Sequence, residues 1–97
     1  MIRKALWVAL QAQPGKEADV EAFLDSGLEL VQNEPGTKTW YAVKLGPASY
    51  GIFDTFDNES GRDAHLAGEV AKALMNQAPE LFAEQPQINK VDVLAAK

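Results

Sequence analysis

The sequence predicts an α+β protein of the ferredoxin-like class, a four-stranded antiparallel sheet carrying its helices on one face. Three observations predict it. Apolar runs and helical stripes follow one another in the order β-α-β-β-α-β. Proline–glycine pairs separate them, at Pro14-Gly15 and Pro35-Gly36. Right-handed crossovers then leave one compact way to lay the strands side by side. With 97 residues and no linker or repeat, the chain reads as a single domain over 1–97.

Ala5-Leu6-Trp7-Val8-Ala9-Leu10 is a continuous apolar run, the pattern of a strand buried on both faces. It is too short for the core of a signal peptide, which needs about 7–15 apolar residues, and far below the ~20 of a membrane span. A helix follows, with Glu17 and Asp19 at its positive end and Val20, Phe23, Leu24, Leu28 and Val31 down one side. Two strands come next, Thr37 to Leu45 and Tyr50 to Phe56, joined by the turn-forming Gly46-Pro47-Ala48-Ser49. Asp57 or Asn58 caps a second helical region with apolar positions Leu66, Val70, Ala71, Leu74 and Met75. Pro79 interrupts it, leaving Glu80 to Ala83 for one more turn, and a last strand runs from Ile88 to Ala96.

The composition excludes several functions. A net charge of −5 with scattered Lys and Arg does not fit nucleic acid. The absence of cysteine removes disulfides and thiolate chemistry, and points to the cytoplasm. One histidine and no cysteine give no metal-ligand spacing, and no phosphate loop occurs, so no metal and no cofactor are expected.

Helices cover only one face of such a sheet, yet its strands are apolar on both. Pairing Leu45 with Tyr50 puts Tyr41 opposite Asp54 and Val43 opposite Ile52. The other face then carries Trp7, Trp40 and Phe53. Each buried aromatic removes ~150–250 Å² from water, so three represent on the order of 10 kcal/mol before entropy is counted. A homodimer with sheets face to face is the expected way to cover them.

On the helix-facing side Asp54 stands out, a carboxylate among apolar neighbours that requires a partner or a proton. Tyr41 is its expected cross-strand neighbour. His65, the only histidine, faces solvent if one unbroken helix runs through Gly68. It turns with the small residues Gly61, Ala64 and Gly68 toward the sheet if the helix breaks there. Gly68 costs a helix about 1 kcal/mol, enough to permit a break.

Pro14-Gly15-Lys16, Glu34-Pro35-Gly36-Thr37, Phe53-Asp54-Thr55-Phe56, Asp63-Ala64-His65-Leu66 and the closing Val91 to Lys97 carry a resemblance. The chain resembles the antibiotic biosynthesis monooxygenase-like family of dimeric α/β-barrel proteins over nearly its whole length. The resemblance implies two sheets forming a barrel across a dimer. For some members it implies cofactor-free oxygenation of phenols or quinols, and for others haem degradation. The haem-degrading branch uses a first-strand Asn, and Val8 points into the pocket here instead. Phe56 stands where quinol-oxidising relatives often carry Trp, and Glu69-Val70 where some carry a second His.

The expected function is therefore oxygenation of a small electron-rich aromatic with O₂. His65, Asp54 and Tyr41 are the expected catalytic residues, and Val8, Phe23, Leu24 and Phe56 the substrate walls. The alternative is a non-catalytic dimeric module that binds a small apolar ligand.

Overall fold

The computed structural model describes residues 1–97. Its elements are β1 (Lys4–Gln11), α1 (Glu17–Val31), β2 (Thr37–Lys44), β3 (Ser49–Phe56), α2 (Glu59–Leu66), α3 (Glu69–Leu81) and β4 (Gln87–Asp92). The sheet order is β2-β3-β1-β4, with every neighbouring pair antiparallel. This is the ferredoxin-like arrangement. The two most apolar strands, β1 and β3, take the centre, where both of their edges are paired. No helix is long and apolar enough to cross a membrane.

The core lies between the sheet and the helices. Val8, Leu10 and Ile52 meet Val20 and Leu24 of α1 and Leu74 and Ala78 of α3. The helical stripe of α1 buries Val20, Leu24 and Val31, while Leu28 stays 43% exposed. Tyr50 is buried among them and donates its hydroxyl to Glu21 Oε2 at 2.6 Å, tying β3 to α1.

The helical region after Phe56 breaks at Gly68, one of the two alternatives the sequence leaves open, so α2 ends at Leu66 and α3 starts at Glu69. Two expected boundaries are corrected. Pro79 does not interrupt α3. The helix continues through it and ends two residues later at Leu81. β4 stops at Asp92 instead of Ala96, because its partner β1 begins at Lys4, the residue facing Asp92.

The hairpin register is also corrected. Lys44, not Leu45, pairs with Tyr50, and Leu45 instead donates its N–H to Ser49 O at 2.8 Å within the turn. A one-residue slip moves every side chain of β2 to the opposite face. Trp40 therefore pairs with Asp54 on the helix side, and Tyr41 pairs with Phe53 on the outer side. The outer face holds Trp7, Phe53, Tyr41 and Val43, with Tyr41 56% exposed. Trp7 lies across Gly51. A Cβ there would come within 2.3 Å of the indole, so only glycine leaves the ring flat on the sheet.

Candidate functional site

The site begins with a break in a helix. Asn58 caps α2, its Oδ1 accepting the Gly61 N–H at 2.9 Å. The first helix then runs only as far as Leu66. Gly68 adopts extended backbone (φ −90°, ψ −175°) before α3 begins. α2 is thereby free to rotate independently of α3. It turns His65 inward, where the residue is only 6% exposed. A side chain at position 68 would crowd the site, since a Cβ there would lie 2.8 Å from Glu34 Oε2.

His65 sits between two carboxylates from distant parts of the chain. Its Nδ1 lies 2.5 Å from Oε1 of Glu34, which arrives from the turn after α1. That same oxygen accepts the Thr37 hydroxyl at 2.8 Å, which fixes the carboxylate in place. On the other side, Nε2 lies 2.8 Å from Oδ2 of Asp54 on β3. Asp54 is fully buried, yet no hydrogen bond is aimed at either of its oxygens. Its contact with Nε2 is thus charge beside charge, off the N–H direction. Phe56 packs against the imidazole, with ring centroids 5.4 Å apart.

Burial is the largest single influence on His65, and it disfavours the charged ring. The two carboxylates, Asp54 first and then Glu34, together outweigh it, so the pKa ends above the ordinary 6.5. The two carboxylates thus favour the imidazolium, with a proton on each nitrogen, to higher pH than in a free histidine. In that form it can give a proton but cannot take one. Glu34, Asp54 and His65 do not converge on a common point as metal ligands do.

His65 and Asp54 open onto a cavity between helices and sheet, lined also by Val8, Phe23, Leu24, Trp40 and Leu74. The space left for a water-sized sphere is about 30 Å³, enough for one or two waters or an O₂ molecule. Leu24 and Trp40 also form one side of a wider, open groove of about 410 Å³ between α1 and β2. The indole Nε1 of Trp40 is buried and has no hydrogen-bond partner. Each buried polar group left unpaired costs about 1–3 kcal/mol, so the Trp40 N–H is a donor that a polar group entering the cavity would satisfy.

The structure brings together five of the seven expected site residues. His65 and Asp54 touch, and Val8, Phe23 and Leu24 line their cavity. Tyr41 is a correction. The one-residue register slip puts it on the outer face, away from Asp54. Phe56 is a second correction, since it supports the imidazole and does not line the cavity. Glu34 and Trp40 join the site in their place. Arg62, also buried, is no partner of Asp54. It donates from Nη1 to the carbonyls of Ala5 (3.3 Å) and Val91 (3.1 Å), clamping α2 to β1 and β4.

Solved structures with the same fold are numerous. A Nitrosomonas europaea protein of unknown function, NE2512, is 49% identical, with a TM-score of 0.97 over 100% of this chain and 94% of its own. A candidate antibiotic biosynthesis monooxygenase from Caulobacter crescentus is 20% identical, with a TM-score of 0.83 over 97% of this chain and 92% of its own. A second such candidate, from Nitrosomonas europaea, is 13% identical, with a TM-score of 0.84 over 95% and 90%. No family model and no curated protein matches the chain.

A raised histidine pKa stabilises the fold in a defined pH window. The contribution is fully present below the unfolded value of about 6.5 and fades as pH rises through the higher folded value. Replacing His65 leaves two buried carboxylates without their cation, so His65→Asn is expected to cost about 3–5 kcal/mol near pH 6 and less near pH 9. Urea denaturation of both proteins across that range checks it. A stability difference that stays constant or grows toward pH 9 contradicts the assignment.

Proposed function

Because the chain belongs to one family with the Nitrosomonas europaea protein NE2512 and has the antibiotic biosynthesis monooxygenase-like fold, we propose that it oxygenates a small electron-rich aromatic alcohol with O₂. The observation that carries this reading is the buried Asp54 carboxylate, open to an apolar cavity and backed by the His65 ring 2.8 Å away. The site thus has a proton acceptor and a proton donor side by side.

Asp54 takes the proton of the substrate hydroxyl. The resulting aryloxide passes one electron to O₂, giving superoxide and an aryloxyl radical. These combine at a ring carbon to form a C–O bond, and His65 protonates the resulting peroxide. The O–O bond then breaks as the ring C–H proton is lost. One oxygen stays as a new carbonyl and the other leaves as water. The substrate gives up four electrons and O₂ takes four. The apolar walls keep bulk water from the peroxide.

The narrowness of the cavity favours a second reading, a module that only holds a small ligand. Oxygen uptake with anthrone and 1,4-dihydroxynaphthalene separates the two. We expect uptake by the wild type and a loss of about 100-fold or more in His65→Asn. Full activity in that variant, or no uptake with either compound, contradicts the proposed reaction.

The working unit is a homodimer closed over the outer face of Trp7, Phe53, Tyr41 and Val43, a surface too apolar to stay wet. Sedimentation equilibrium at micromolar concentration is expected to give a dimer for the wild type and a monomer for Tyr41→Glu. A monomeric wild type contradicts this.

A further inference from the structure

We propose that Trp40 is a positioning residue for the substrate, its indole N–H and the Asp54 carboxylate together holding one hydroxyl group. The proposal deepens the function given above and rests on it. Trp40 and Asp54 are directly opposed on β2 and β3, so their Cβ atoms stand about 4.5–5.5 Å apart on the same face. Both line the cavity that His65 closes. The indole Nε1 and both Asp54 oxygens are buried, and none has a hydrogen-bond partner. Although they are neighbours, the donor and the acceptors do not bond to each other.

The unmet groups define the chemistry of the occupant. An indole N–H can only donate, and an ionised carboxylate can only accept. A group that satisfies both must itself accept once and donate once. A hydroxyl does this with a single oxygen, whereas an ether oxygen accepts only and a hydrocarbon does neither. The inner cavity, at about 30 Å³, has room for such a polar end and not for a ring. Leu24 and Trp40 also line the 410 Å³ groove, a volume within the usual range for small-molecule sites of about 300–1,000 Å³. The ring therefore lies on the groove side, with its hydroxyl directed past Trp40 toward Asp54. Once the hydroxyl has given up its proton, the indole N–H faces an anion, and this bond strengthens as negative charge develops on the oxygen.

Trp40 is held for this role. Its six-membered ring lies against Gly27 of α1, since a Cβ added there would sit 3.4 Å from Cζ2 and Cη2 of the indole. That contact leaves the indole little room to rotate its N–H out of the cavity.

The test uses binding without oxygen, so it does not depend on turnover. Phenol, anisole and toluene share a ring and differ in whether they donate and accept, only accept, or do neither. In ¹H–¹⁵N spectra of the wild type, phenol is expected to shift the Trp40 indole N–H signal downfield, while toluene leaves it near its free position. Trp40→Phe, which keeps a ring and loses the N–H, is expected to weaken phenol binding about tenfold and leave toluene binding unchanged. Anisole is expected to bind the wild type more weakly than phenol, because it offers no proton to Asp54. An indole signal unmoved at saturating phenol overturns the proposal even if the variant fails to fold. So does equal phenol affinity in Trp40→Phe and wild type, or the absence of phenol binding altogether. If the binding results hold and no substrate consumes oxygen, the hydroxyl site stands and the oxygenation reading falls.

Discussion

One imidazole held between two carboxylates organises the functional half of this molecule. Glu34 belongs to the turn that ends α1, His65 to the short helix α2, and Asp54 to the central strand β3. Nothing else joins these three segments through polar side chains. A buried charge left alone would be costly, so the cluster holds only with all three members present. Its geometry also divides the labour between the carboxylates. Glu34 is bound twice, by Thr37 and by His65, and serves as an anchor. Asp54 has no aimed hydrogen bond and faces the cavity, free to act on a ligand.

The sheet supplies two unlike faces, and each has its own task. The helix face carries Val8, Ile52 and Asp54 and builds the core and the cavity. The outer face carries Trp7 and Phe53, with Gly51 making room for the indole. A single residue of register on β2 determines which of Trp40 and Tyr41 meets Asp54. An aromatic N–H thereby replaces an aromatic O–H as the polar neighbour of the carboxylate.

The element order, the apolar first strand and the isolated carboxylate at Asp54 were legible in the sequence because each is a local pattern with a fixed period. The register of the hairpin was not. Gly46-Pro47-Ala48-Ser49 marks a turn without stating which residues close it, and alternation on β2 is weak, with Trp40, Tyr41, Ala42 and Val43 all apolar or amphipathic. The inward turn of His65 was legible only as a condition on Gly68, and the structure meets that condition with a break between α2 and α3. Glu34 was unreadable as a partner because 31 residues separate it from His65 and only the packed fold brings them together. Its place beside Pro35-Gly36 was the one signal available, since that turn halts α1 and points the carboxylate back toward α2.

The central claim is that two carboxylates hold His65 in its doubly protonated form to higher pH than a free imidazole. Long-range ¹H–¹⁵N spectra of the imidazole report this directly. The account predicts that at pH 6.5 both ring nitrogens still show mostly protonated shifts, with the titration midpoint at higher pH. A neutral single tautomer at that pH, with a midpoint at or below about 6.5, would contradict it.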